Sequence, residues 1–230
     1  MIFPVEFSFL VTIIAFVIII ALTYHGYQQG FVLKAAELLS TIISIVIAWY
    51  LSRHFSNQIM LFPKDYSLFN ETILDSPIYW ILNRMLLFVV FLIALGILFA
   101  LLRPLLKRLN NIPLFGGANR LMGSVLGFLH GFVILVVIAF VLSSPLFANG
   151  DVVLKESHLS VVKEVYRQLL FVYDDNFSRM ESIQKIVTPS TQLMDEDVKN
   201  IREWLVNQGF NETEQEEVMK LIVIRDGYGS

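Results

Sequence analysis

Long apolar segments constrain this chain more than any other feature. No Asp, Glu, Lys or Arg occurs between residues 7 and 33, and the stretch FSFLVTIIAFVIIIALTY occupies positions 7–24. A helix of about 20 apolar residues is long enough to cross a bilayer. Further apolar stretches follow at 31–52, 80–102 and 121–142. The sequence therefore predicts an all-α polytopic membrane protein with four transmembrane helices.

Charge divides the chain into two parts. Residues 1–142 carry 8 Lys/Arg and 5 Asp/Glu, whereas residues 143–230 carry 9 Lys/Arg and 15 Asp/Glu. We expect a membrane domain at 1–142 and an acidic helical C-terminal tail at 143–230 that lies outside the membrane. The net charge of −3 argues against a nucleic-acid partner, because nucleic-acid surfaces need a basic patch. The chain contains no cysteine, which excludes disulfides and thiolate chemistry.

The tail shows helical periodicity in three places. Apolar residues recur at helical spacing over 160–175, with Ser160 as the expected N-cap. A second helix is predicted over 195–210, and Gly209 stands where a helix C-terminus would. Thr213 and Glu216 have the spacing of a capping box, so they predict the start of a third helix.

The connection between the third and fourth spans is basic. Residues 103–120 hold four basic side chains, two prolines, a Gly-Gly pair and no acid, which suits an interfacial loop. A re-entrant piece at 105–120 is an open alternative. The first and third connections share one side and carry five basic residues, against four on the other side. The positive-inside tendency then predicts that the N- and C-termini lie outside the cytoplasm.

Small residues recur at four-residue intervals in the last span. In lipid, helices associate where small residues let their backbones approach closely. We therefore predict a packing face, with a glycine-lined pore or a sliding gate as the alternative. The predicted packing residues are Gly123, Gly127 and Gly131, with Gly116 on the same face and Gly96 and Ala100 in the third span.

The second span carries a polar face. Lys34, Glu37, Thr41 and Ser44 follow one another at three- or four-residue steps, and Lys34 can pair with Glu37. One interpretation is a lysine that snorkels to the interface and hydroxyls that face a neighbouring helix. The other is a polar pathway through the protein. His130 in the fourth span has the same two interpretations, as a functional intramembrane residue or as a neutral imidazole bonded to a neighbour.

No catalytic pattern is present. Ser124 and His130 are six residues apart on one helix, about 240° around and about 9 Å along its axis, so they cannot form a dyad. The metalloprotease, hydrolase and phosphate-loop motifs are absent from the sequence. We expect a protein that is not an enzyme and needs no cofactor and no metal.

Two clusters around these spans resemble the CvpA (colicin V production protein) family of bacterial inner-membrane proteins. The first is HGYQQGF after the first span, and the second is IPLFGGANRLMGSVLGFLHGFV at the fourth. The resemblance covers residues 7–142 and does not include the tail. The residues that carry it are Gly26, Gly30, Phe31, Pro113, Gly116, Asn119, Arg120, Gly123, Gly127 and Gly131.

The resemblance implies a multi-pass protein of the bacterial cytoplasmic membrane that is linked to toxin production or export and to envelope integrity, with no assigned reaction. Similar membrane modules also occur ahead of extracytoplasmic serine proteases. We expect a non-enzymatic accessory or assembly factor whose partners are the lipid bilayer and a second copy or an envelope protein. The alternative is an oligomeric small channel or transporter lined by the glycine face.

Overall fold

Every regular element that the structure describes is an α-helix. The computed structural model describes residues 8–63, 75–108, 116–147, 149–157, 159, 161–162, 165, 180–187 and 193–227, and no strand occurs among them. The helices are α1 (Ser8–Gln29), α2 (Phe31–Phe55), α3 (Asp75–Arg108), α4 (Gly116–Leu142), α5 (Gly150–Glu156), α6 (Met180–Val187), α7 (Asp195–Asn207) and α8 (Glu212–Gly227).

Four of these helices are long and apolar enough to cross a membrane. They are α1, α2, the Pro77–Leu102 part of α3, and α4. Their outward faces carry large apolar side chains such as Phe16, Ile97 and Val125, each more than half exposed. Such continuous apolar exposure is rare in water-soluble monomers but suits contact with lipid. The prediction of an all-α protein with four membrane spans is therefore confirmed.

The packing fixes the relative directions of the spans. Gly30 alone separates α1 from α2. Along α4, Asn119 lies beside Phe31, and His130 lies beside Thr41, so α4 runs parallel to α2 and antiparallel to α1. We call this end of the bundle, where α1 and α3 finish and α2 and α4 begin, the Gly30 end.

The closest helix contact is between α1 and α4, at the glycines. A Cβ atom on Gly127 would lie 2.9 Å from the Cα of Thr23, and one on Gly123 would lie 2.8 Å from the Cα of Gly30. A Cβ atom on Gly26 would in turn lie 3.0 Å from the Cα of Gly127. Only glycine allows the two backbones to approach this closely. Farther along the contact, Gly131 packs against Ile19.

Aromatic side chains join α2, α3 and α4. The ring of Phe88 on α3 stands edge-on to Trp49 on α2, with centroids 6.0 Å apart, and to Phe140 on α4, at 5.8 Å. Edge-to-face pairs at these separations are electrostatically favourable. Buried Ala48 and Ala139 leave room for the rings between the helices.

Asn83 organises the opposite end of the bundle. Its side chain is fully buried, and its amide nitrogen donates to the carbonyls of Ser56 and Ile59. Its amide oxygen accepts from the backbone N–H groups of Leu61 and Phe62. One side chain therefore satisfies four backbone groups of the turn that follows α2, which apolar neighbours could not do.

Three of the small residues selected from the sequence lie away from any helix contact in the described chain. A Cβ atom on Gly96 or Gly116 would have no atom within 4 Å, and Ala100 is exposed. Gly96 and Ala100 face outward from α3, and Gly116 begins α4 at the edge of the bundle, so the prediction that these residues pack helices or protomers stays a prediction.

The basic connection is shorter than the sequence suggested. Helix α3 continues through Pro104 to Arg108, and α4 begins at Gly116. The predicted re-entrant piece at 105–120 is therefore helical at both ends. Residues 109–115, including Pro113, lie outside the described residues.

Residues after the fourth span return to it. Helix α5 packs against α1 and α4, and the hydroxyl of Thr12 donates to the carbonyl of Ser157 at 2.9 Å. The predicted helix at 160–175, with its N-cap Ser160, lies almost entirely outside the described residues.

Each of the three remaining helices packs against the next along the chain, α6 against α7 and α7 against α8. Their buried apolar side chains are Ile183, Ile186, Ile201, Trp204, Leu205, Val218, Met219 and Ile222. The helical character predicted for the tail is thus confirmed for the described part of it.

The ends of α7 and α8 test the capping predictions. Gly209 has φ +89°, and the N–H groups of Gly209 and Phe210 bond the carbonyls of Val206 and Leu205, which confirms the predicted stop. The capping box of α8 is formed by Asn211 and Glu214, whose side chains each bond the other's backbone N–H. The pair Thr213–Glu216 was wrong by two residues, because Asn accepts the same N-cap bond.

Asp197 ties α6 to the start of α7. Its carboxylate accepts from the Lys185 ammonium at 2.6 Å, the Met194 N–H at 2.9 Å and the Ser182 hydroxyl at 3.0 Å. Burial by itself would raise the pKa of Asp197, but the bonds from Lys185, Met194 and Ser182 outweigh it and lower the pKa below its ordinary value of 3.8.

We predict that Gly127→Ala lowers the thermal unfolding midpoint of the detergent-solubilised protein, because the added methyl group separates α1 from α4. The expected loss of stability is about 1–3 kcal/mol. Gly96→Ala is the matched control, and it should leave the midpoint unchanged or raise it, since alanine is the better helix former. Equal midpoints for the two variants would contradict the packing role of Gly127.

We predict that Asp197→Asn loosens α7 by about 1–2 kcal/mol at pH 7, measured by hydrogen exchange of peptides from 195–207 in the full chain. Because the folded-state pKa is lowered, the wild-type advantage is present above the ordinary pKa of 3.8 and is lost as the pH falls through the folded pKa. Asp195→Asn, an exposed change in the same helical turn, should have little effect. If wild type remained more protected than Asp197→Asn at a pH below the folded-state pKa of Asp197, the role given to its ionised carboxylate would be contradicted.

Candidate functional site

The chain makes its sharpest turn at Gly30, and α4 supports that turn. Gly30 has φ +80°, a conformation that favours glycine, and a Cβ atom there would lie 2.5 Å from Nδ2 of the Asn119 side chain. The Asn119 amide oxygen accepts from the N–H of Phe31 at 2.8 Å. It thereby satisfies one of the unpaired donors at the start of α2. Next to it, the Arg120 guanidinium lies 5.9 Å from the Tyr27 ring centroid.

A buried ion pair follows one turn into α2. The ammonium of Lys34 lies 3.1 Å from Glu37 Oε2, and the two side chains are 0% and 7% exposed. The prediction that Lys34 pairs with Glu37 is confirmed. The interpretation of Lys34 as a snorkelling side chain is wrong, because the side chain is fully buried and its ammonium is paired with the Glu37 carboxylate of the same helix.

Two residues of α1, His25 and Gln29, also contact Glu37, and the sequence analysis did not select them. The Gln29 side-chain nitrogen lies 2.7 Å from Glu37 Oε1 and 2.7 Å from His25 Nε2. His25 Nε2 is itself 3.8 Å from Glu37 Oε1. The four-residue spacing of His25 and Gln29 at the end of an apolar helix is the signal that could have identified them. We refer to His25, Gln29, Lys34 and Glu37 as the polar cluster.

Deeper in the bundle, α2 reaches α4 through one hydrogen bond. Thr41 Oγ1 lies 2.8 Å from His130 Nε2 and 3.1 Å from the carbonyl of Glu37. His130 is buried at the middle of α4. Ser44, which is also buried, donates instead to the Ser40 carbonyl of its own helix. Of the predicted polar face, Lys34, Glu37, Thr41 and His130 therefore come together, and Ser44 makes only a local bond.

Within the described residues, the two side chains considered as a dyad from the sequence lie apart. Ser124 donates to the carbonyl of Leu121, away from His130. Within the described residues, no group of three His, Cys, Asp or Glu side chains could hold a metal ion. An ionisable group inside a membrane protein is costly unless it is paired, and Glu37 meets that requirement through Lys34 and Gln29.

The family model described as Colicin V production protein matches residues 11–164, more than half of the chain. The chain belongs to this family. The match extends past the fourth span and over α5, in agreement with the packing of α5 against α1 and α4. No curated protein and no solved structure matches the chain. Among the motif residues that carried the resemblance, the structure gathers Gly26, Gly30, Phe31, Asn119, Arg120, Gly123 and Gly127 at the Gly30 end.

The residues that carried the resemblance thus lie at the junction of α1, α2 and α4. Each of the glycines in this group stands where a side chain would meet another backbone or Asn119. The polar cluster lies immediately beside this junction. Its burial, its charges and its place beside the close helix contact make it the candidate functional site of this multi-pass membrane protein.

We predict that Asn119→Ala lowers the thermal midpoint in detergent, because the N–H of Phe31 loses its acceptor. A lost cap of this kind costs about 1 kcal/mol. Asn119→Asp keeps an oxygen at the same position and should retain most of the stability. Equal losses in the two variants would show that the Asn119 acceptor does not support the start of α2.

Proposed function

We propose that this protein is a non-enzymatic accessory or assembly factor of the bacterial inner membrane, acting in colicin-type toxin production or export and in envelope homeostasis. The family description supports the link to toxin production. The observation that carries the assembly role is the contact of α1 with the glycine face of α4. It makes the membrane domain a closed helical scaffold that can present its outer faces and its tail to partners.

The absence of an enzymatic role is part of this proposal. Ser124 donates to a carbonyl of its own helix, and Thr41, the hydroxyl beside His130, donates to the Glu37 carbonyl. We propose that both hydroxyls join or brace helices and that neither acts as a nucleophile. We propose no cofactor, metal or nucleic-acid partner.

The alternative is an oligomeric channel or transporter. A pore lined by the glycines of α4 would require α1 to separate from α4. The backbone of α1 covers the glycine face of α4 at Gly123 and Gly127. The bond from Thr41 to His130 and the nearby polar cluster are the observations that favour a polar path instead.

The density of charge in the third connection supports an orientation. Arg103, Lys107, Arg108 and Arg120 lie in the short stretch 103–120, which holds no acid, so we propose that the Gly30 end faces the cytoplasm. Both termini would then lie on the extracytoplasmic side. We propose that the acidic tail meets an envelope protein or a second copy there, while the outward faces of the spans meet lipid.

The test uses a colicin-type toxin-producing strain that depends on this protein. Ile201→Asp places a charge in the tail core and should reduce toxin secretion, without increasing entry of a membrane-impermeant dye. Arg202→Asp, exposed on the same helix, is the control and should secrete normally. Labelling of Ser230→Cys by an impermeant thiol reagent on intact cells should report an external tail.

Three results would contradict the proposal. Normal secretion by Ile201→Asp would remove the role of the tail, and labelling of Ser230→Cys only after lysis would reverse the orientation. Ion flux in reconstituted vesicles that Gly127→Leu abolishes would favour the channel.

A further inference from the structure

One carboxylate in the polar cluster lies between two bases. Lys34 Nζ is 3.1 Å from Oε2 of Glu37, and His25 Nε2 is 3.8 Å from Oε1. The Gln29 side-chain nitrogen lies 2.7 Å from both His25 Nε2 and Glu37 Oε1. The lysine is on the same helix as the carboxylate, whereas the histidine and glutamine come from α1.

The hydrogen bonds of Gln29 define the state of His25. An ionised carboxylate only accepts hydrogen bonds, so the Gln29 atom that faces Glu37 is the amide nitrogen. The same nitrogen faces His25 Nε2 and can only donate to it. We therefore assign His25 Nε2 as the acceptor of this bond, which is the role of a neutral imidazole.

We propose that the polar cluster is a proton-binding site between α1 and α2. The proton comes from the adjacent aqueous phase and forms an N–H bond at His25 Nε2. This nitrogen can then no longer accept from Gln29, so that hydrogen bond breaks and Nε2–H turns to Glu37 Oε1. Lys34 remains on Oε2, and the carboxylate is then shared by two cations.

The exposure of three of these side chains supports entry of the proton from the aqueous phase at His25. The His25 side chain is 40% exposed, whereas those of Glu37 and Lys34 are 7% and 0% exposed. His25 is four residues from the end of α1, about 6 Å along the helix axis. The cluster thus has a partly exposed imidazole, His25, near the end of α1 and a buried ion pair, Lys34 with Glu37, behind it.

Other charged or titratable groups near the cluster are few in the described residues. On α4, Arg120 lies over the Tyr27 ring, and His130 bonds Thr41 one turn deeper along α2. Tyr24 and Tyr27 are the other titratable groups on this part of α1. From α3, the residues Arg103, Lys107 and Arg108 belong to the same end of the bundle. The negative charge of the Glu37 carboxylate can therefore stabilise the protonated form of His25.

The consequence is a change in how α1 and α2 are joined. The neutral site links them by the hydrogen bond from Gln29 to Glu37, and protonation adds a salt bridge from His25 to Glu37. Because α1 is closely packed on α4 through Gly26 and Gly123, a shift of the His25 turn acts on the glycine contact. Proton binding would therefore change the contact between α1 and α2 at the Gly30 end.

The experiment is histidine NMR on the full chain in lipid nanodiscs, with ¹⁵N-labelled imidazoles and pH lowered from 8 to 5. The His25 signal is identified by its loss in His25→Gln. We expect it to change from imidazole to imidazolium in this range. At pH 6 the imidazolium-to-imidazole ratio should fall at least about tenfold in Glu37→Gln, because the neutral amide no longer attracts the cation. Glu217→Gln, an exposed change in α8, should leave the ratio unchanged.

Lys34→Gln separates the proposal from general damage to the fold. Removing the competing ammonium should raise the His25 ratio, opposite to the effect of Glu37→Gln. The His130 signal reports in each variant whether α2 and α4 remain packed. If Glu37→Gln does not fold, the Lys34→Gln result alone decides, and a rise supports the site. A His25 that stays neutral at pH 5, or a ratio that does not rise in Lys34→Gln, would overturn the proposal.

Discussion

The contact between the backbones of α1 and α4 is the constraint on which the rest of the membrane domain depends. Lipid is as apolar as leucine, so burial of apolar side chains contributes little to helix association in a bilayer. Close backbone approach contributes through dispersion, which falls steeply when a gap opens. Gly26, Gly123 and Gly127 allow this approach and leave no space between the helices for a side chain. The other spans are then arranged around this pair, with α2 against α4 and α3 against α2.

Close packing also explains why polar groups collect at one end. The turn at Gly30 brings α2 back beside α1, and Asn119 of α4 satisfies its first N–H. The Glu37 carboxylate is then enclosed and requires partners, since an unpaired charge in such a site is costly. Lys34 and Gln29 supply them. His25 completes the cluster as its half-open member, and this asymmetry is the basis for proposing proton binding there rather than at the deeper His130.

The tail helices are held together by buried apolar side chains, capping bonds and an ion pair. They bury Ile201, Trp204 and Val218 and are ended by caps rather than by the membrane boundary. Asp197 uses its charge to fix α6 against α7, a role that depends on pH because the carboxylate must be ionised. The proposed assembly role rests on these surfaces, namely the outer faces of the membrane helices and the acidic helical tail.

The sequence by itself determined the class of this protein. Four apolar stretches, a basic third connection, an acidic tail and the spacing of Gly123, Gly127 and Gly131 follow from hydropathy and helical periodicity, which are local properties of the chain. Tertiary structure decided what those residues meet. Gly96 and Ala100 have the same small-residue spacing as the glycines of α4, yet they face outward, because the position of a neighbouring helix is not encoded in the spacing. The polar cluster likewise joins residues of α1 and α2 whose contact exists only after the chain turns at Gly30.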